Sequence, residues 1–248
     1  MQQQKKIYIL IIFCIGVCIL TLVHKSENIS TKNKSYGMDR LVEHNKKKSY
    51  SKENNPLEVP LISQNPELER GCEVTSLAML LQFNGLSVDK LELAKNIKYV
   101  PFQNNGLMGN MDEGFVGNIY DIDIPGLGVH IKPIIELAKL YVSENSIIDL
   151  TGSNPENLYK EIDKGHPVWI LTNGSFRKLP DYEFRTWQTN KGETQVTYRQ
   201  HSVLLTGYND QYVFINDPLD MEKNKRIDKQ DFEEAWVQLG RQALTIIP

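Results

Sequence analysis

Cys72, His201, Asp217 and Gln64 are the residues of this chain whose side-chain chemistries fit together. Cys72 offers a thiol, and it is the only cysteine outside the apolar N-terminal run that holds Cys14 and Cys18. A strongly patterned segment begins at Cys72, so the thiol is expected in the first turn of a helix. A free thiol with a pKa of about 8.5 is only a few per cent ionised at neutral pH. A helix N-terminus beside an imidazolium lowers that value to about 3.5–7.5. Glu73 works against this with a nearby negative charge, so a histidine has to supply much of the activation.

His201 opens the run His-Ser-Val-Leu-Leu-Thr-Gly-Tyr, and Asp217 ends the next one, Val-Phe-Ile-Asn-Asp-Pro. Both runs read as strands, with Asn209-Asp210-Gln211 as a tight hairpin connection. Antiparallel pairing about that connection sets Asp217 level with about Val203, within a residue or two of His201. A carboxylate there holds an imidazole in the tautomer that a general base needs. Asn216 is the alternative orienter. Gln64 lies eight positions before the thiol, and its amide can donate to a tetrahedral oxyanion together with the Cys72 N–H. Each piece has an ordinary structural explanation: a packed thiol, a strand histidine, a turn-forming Asp-Pro, a loop glutamine. The ordered set is what points to nucleophilic catalysis.

Positioning these groups requires helices first and strands later. Apolar residues at 74, 77, 78, 80 and 81 predict a helix from Cys72 to Phe83, closed by Asn84-Gly85. Ser87 is expected to cap a second helix reaching Ile97, and Pro133 to begin a third running to about Val142. A further helix is expected over 155–163, and another from Asp228 to about Val237. Strands are expected at 57–62, 167–172, 194–198, 201–208, 212–216 and 243–247. Helices followed by an antiparallel sheet make an α+β domain. Residues 103–130 carry six glycines and little periodicity, and read as a long irregular insertion near a cleft. That insertion is not a phosphate loop, because no Gly-Lys-Ser/Thr follows and no strand feeds it.

The chain has 248 residues and a net charge of −3, without the basic balance expected of a nucleic-acid binder. Residues 1–25 read as a membrane anchor or signal peptide: Lys5 and Lys6 precede an uncharged apolar run from Ile7 to Val23. As a helix that run spans about 26 Å, close to a bilayer core. Residues 26–55 are a polar linker, too poor in apolar surface to fold alone. Residues 56–248 form the expected domain, placed outside the cytoplasm at the cell membrane, or secreted if the N-terminal segment is cleaved. His130 and His166 have no partner at metal-ligand spacing, and Cys72, His201 and Asp217 are too dispersed for a zinc motif. Trp187, in a polar stretch read as a turn, is the candidate substrate-contacting aromatic.

Gln64 with Cys72 at a helix start, the His201 run and Val213-Phe-Ile-Asn-Asp217-Pro218 together resemble the papain-like cysteine peptidases. The stand-alone exported relatives of bacteriocin-processing peptidases, which cut after double-glycine leaders, look closest. Gly114-Phe-Val-Gly-Asn118 and Phe232-Glu-Glu-Ala-Trp236 belong to the same likeness. The resemblance implies a papain-like fold, Cys72 as nucleophile, His201 as general base and acid, Asp217 as orienter and Gln64 as oxyanion donor. It implies a peptide or protein substrate, an acyl-thioester intermediate and no cofactor. Gly71-Cys72-Glu73 departs from the Asp-Cys-Gly usual in the transporter-linked members, so leader processing is not carried over. The alternative is a catalytically silent papain-like module that binds a cell-wall or protein partner.

Overall fold

A computed structural model describes residues 56–248. The expected anchor and linker, residues 1–25 and 26–55, lie outside the described residues. Among the described residues no helix is long and apolar enough to cross a membrane.

The chain runs through α1 (Cys72–Phe83), α2 (Lys90–Asn96), β1 (Tyr99–Val100), β2 (Gln103–Asn104), β3 (Leu107–Met108), β4 (Phe115–Val116) and α3 (Ile131–Ala138). It continues through β5 (Ile147–Asp149), α4 (Pro155–Asp163), β6 (Val168–Asn173), β7 (Arg185–Thr189), β8 (Gly192–Val196), β9 (Gln200–Tyr208) and β10 (Tyr212–Asn216). It ends with β11 (Lys225–Asp228), α5 (Lys229–Gln238) and β12 (Ala243–Ile246). Six strands form the main sheet in the order β11-β10-β9-β6-β12-β5, every neighbouring pair antiparallel. A smaller sheet, β2-β3-β7-β8, carries one parallel contact, Met108 with Thr189. This is the expected α+β, papain-like architecture with N-terminal helices on a mainly antiparallel sheet.

Strand β6 is buried along its whole length because both faces of the main sheet are covered. Trp169 and Leu171 point into a core with α1, α2 and α3, while Val168 and Ile170 point into a second core with α4 and α5. The period of two along the strand thus serves two helical layers at once.

Several local expectations change. Residues 57–62 make no strand, since Pro56 and Pro60 lack the N–H groups a ladder needs. The segment is instead tied down by single bonds, from Leu57 N–H to Thr206 O (2.8 Å) and from the Asn216 amide to Val59 O and Pro60 O (3.2 Å each). The cap of α2 is Asp89, not Ser87, because its carboxylate accepts the Leu91 and Glu92 N–H groups at 2.7 and 2.9 Å. Helix α3 starts two residues before Pro133, which a first turn tolerates, and ends at Ala138. The stretch around Trp187 is strand β7 and not a turn, and β8 lies two residues earlier than expected.

Candidate active site

Helix α1 starts at Cys72, directly after Gly71, and its N-terminus has no side-chain cap. Gly71 is needed for space: a Cβ there would stand 2.4 Å from Leu68 Cβ. The neighbour it makes room for is the buried Leu68 of the preceding turn. The helix packs against β9, so the thiol meets the strand where it begins. Cys72 is buried, close enough to the backbone of Ser202, on β9, for that backbone to favour its ionised form.

His201 lies on the face of β9 shared with Val203 and Leu205, with its ring 6.0 Å from that of Phe176 between centroids. Asp217 reaches it through an irregularity in the hairpin. Val213 and Phe214 pair with Tyr208 and Gly207, but Ile215 and Asn216 pair with Leu205 and Leu204. Thr206 is therefore the extra residue of a β-bulge. Without it, Asp217 would continue the register opposite Leu204, on the other face. With it, Asp217 comes level with Val203 and turns to the side of His201. Asp217 Oδ1 then lies 2.7 Å from His201 Nε2, with both side chains buried.

Burial alone would make the Asp217 carboxyl harder to ionise. The His201 hydrogen bond and charge, the Leu219 N–H and Lys225 outweigh it and hold the group below its ordinary range. The Leu219 bond is 2.9 Å, and Lys225 Nζ stands 3.9 Å from Asp217 Oδ2. An ionised carboxylate on Nε2 places the imidazole proton there and leaves Nδ1 with its lone pair. Asn216, the alternative orienter, faces elsewhere: its amide serves Val59, Pro60 and the Asn224 N–H.

The group in contact with the thiol is Glu73, whose negative charge works against ionisation. Cys72 Sγ donates to Glu73 Oε2 at 3.2 Å. Burial, then the charge and hydrogen bond of Glu73, push the thiol well above its usual range, against the helping Ser202 backbone. Glu73 is itself raised by burial, despite donors from Val129 and Gln200. Gln200 and the 128–130 segment are parts of the site that the sequence did not single out. The available signal for Gln200 was its position directly before His201.

Gln64 is 2% exposed and lies in the loop leading to Cys72. Its Nε2 donates to Leu68 O and Glu69 O, both at 3.0 Å, so the amide closes that loop and has no hydrogen left for an oxyanion in this conformation. Trp187, the candidate substrate contact, is buried between Phe102 and Tyr198 in a small core with Met111 and Val196. His130 and His166 pair with Asp112 and Glu161, each at 3.0 Å. Among the described residues no group of three or more His, Cys, Asp or Glu side chains could hold a metal ion. A cavity of about 250 Å³ opens beside Gln200, lined also by His130, Leu171, Thr197 and Gln242.

Residues 56–244 match the sequence profile of the Peptidase_C39 like family. The uncharacterized protein YvpB of Bacillus subtilis (strain 168) is 43% identical over 205 residues, which cover 82% of this chain and 80% of that one. A crystal structure of a candidate C39-like peptidase from Bacillus anthracis superimposes with a TM-score of 0.76 at 48% identity, covering 78% of this chain and 98% of that one.

Proposed function

Because this chain belongs to the Peptidase_C39-like family, we propose that it is a cysteine peptidase in which Cys72 is the nucleophile, His201 the general base and acid, and Asp217 the orienter. The observation that carries this reading is the buried 2.7 Å contact between His201 and Asp217, on the side of strand β9, against which the helix that begins at Cys72 packs.

His201 Nδ1 takes the thiol proton, and the sulfur attacks the carbonyl carbon of a peptide or amide. The tetrahedral intermediate collapses as the C–N bond breaks and the imidazolium gives its proton to the leaving amine. Water, deprotonated by His201, then attacks the acyl-thioester and releases the carboxylic acid and the thiol. The N–H groups of an uncapped helix start have no intrahelical partner, so the Cys72 N–H is one donor to the oxyanion. Gln64 becomes the second only by releasing the Leu68 or Glu69 carbonyl.

The domain acts outside the cytoplasm, held by its N-terminal apolar segment or secreted after its removal; this part of the proposal rests on the sequence of residues 1–25. The narrower kinship with the bacteriocin-processing peptidases rests on the quoted motifs alone. The substrate is a peptide or protein, not a nucleic acid. The thiol's bond to Glu73 favours a second reading, a silent module that binds a cell-wall or protein partner. Peptide cleavage separates the two. Hydrolysis by wild type that is lost in Cys72→Ala and in His201→Ala marks the peptidase; a folded wild type that cleaves nothing while Cys72→Ala leaves the cellular phenotype intact contradicts it.

A further inference from the structure

The thiol has one hydrogen, and Glu73 holds it. Cys72 Sγ is 3.2 Å from Oε2 of a carboxyl group that is 1% exposed. The other oxygen, Oε1, accepts the Val129 N–H at 3.2 Å and Gln200 Nε2 at 3.1 Å. Gln200 Nε2 also donates to Val129 O at 3.3 Å. Gly128 makes room for this arrangement: a Cβ there would stand 2.5 Å from Glu73 Oε1 and 2.7 Å from Gln200 Nε2. Helix α1, the 128–130 segment and the residue before His201 therefore close on one carboxyl group. The Glu73 carbonyl is fixed as well, accepting Trp169 Nε1 at 2.9 Å.

We propose that Glu73 is a positioning residue that keeps the Cys72 nucleophile protonated at rest, so that the thiol must leave Glu73 before His201 can take its proton. The role of His201 in this statement rests on the peptidase reading; the Cys72–Glu73 contact does not. On release the S–H bond breaks, its electron pair stays on sulfur and the proton passes to His201 Nδ1. Glu73 loses one donor and keeps Val129 and Gln200. A substrate that turns the side chain of Cys72 toward the imidazole thus creates its own nucleophile, and the resting enzyme has little thiolate to lose to oxidants.

Other charged groups near the pair do not explain the protonated state alone. Asp217 acts on the thiol in the same sense as Glu73 but more weakly. His201 is committed to Asp217, Lys225 stands 3.9 Å from Asp217, and His130 beside Val129 is paired with Asp112.

The test is alkylation of Cys72 by iodoacetamide in the full reduced chain, followed by peptide mass spectrometry from about pH 6 to 10. Wild type, Glu73→Gln and Gly128→Ala are compared, each checked by circular dichroism. The wild-type profile is expected to have its midpoint above the free-cysteine value of about 8.5. Glu73→Gln should move the midpoint down by about one unit, a roughly tenfold faster alkylation at pH 7. Gly128→Ala, which displaces the carboxylate while leaving it in the chain, should move it in the same direction. A wild-type midpoint at or below that of free cysteine overturns the proposal, as does a profile that neither folded variant shifts. None of these readings needs turnover. A shifted profile without peptide cleavage removes the peptidase reading and keeps Glu73; cleavage with unmoved profiles does the reverse.

Discussion

Asp217 Oδ1 meets His201 Nε2 at 2.7 Å because the β9–β10 ladder slips by one residue at Thr206. The same bulged residue offers its carbonyl to Leu57, so the start of the domain is fastened where the register changes. Thr206 Oγ1 adds bonds to Phe214 O (3.1 Å) and Asn224 Oδ1 (2.7 Å).

Replacing Asp217 by Asn removes the charge that fixes the imidazole while keeping its shape. Peptide cleavage should fall by roughly two to four orders of magnitude in kcat, measured on any substrate the wild type cleaves. Asp217→Ala should also lose about 1–3 kcal/mol of stability, since it leaves the buried Nε2–H of His201 without an acceptor.

The pH dependence of stability follows from the same carboxyl. Its folded value is lowered, so its contribution is present above the unfolded value of about 3.9 and lost as pH falls through the folded one. Thermal melts of wild type and Asp217→Asn should therefore differ at pH 7 and converge below about pH 4.

Gly71→Ala should be costly although its backbone angle of φ −96° suits any residue. The new methyl would press on Leu68 and shift the turn that presents Cys72. A loss of about 1–3 kcal/mol is expected by chemical denaturation, with slower Cys72 alkylation in the folded protein.

Gln64→Ala should cost about 1–3 kcal/mol, because it strands the carbonyls of Leu68 and Glu69. Denaturation midpoints check this. If stability is unchanged while kcat drops by about 10²–10³, the amide acts on the oxyanion and not on the loop.

The helix that begins at Cys72 was legible because its apolar spacing, its glycine and its closing Asn-Gly all agree on Cys72–Phe83. The His201–Asp217 pair was legible only in part. Counting back from the hairpin gave the approximate level of Asp217, but no local pattern announces a bulge at Thr206, which depends on the crossing chain at Leu57. Trp187 was misplaced because β7 buries only alternate residues of a short polar stretch, and its neighbour Phe102 is far away in sequence. Glu73 was visible as a charge beside the thiol. Its burial under Gly128 and Gln200 is a tertiary fact that adjacent residues do not encode.

Cysteine peptidase activity is measured by incubating the purified, reduced protein with a diverse peptide library and reading the products by mass spectrometry. New peptide termini are expected with wild type, none with Cys72→Ala, and at most a residual trace with His201→Ala. Cleavage that persists undiminished in Cys72→Ala, or a folded wild type that cleaves nothing across the library, would contradict the peptidase reading.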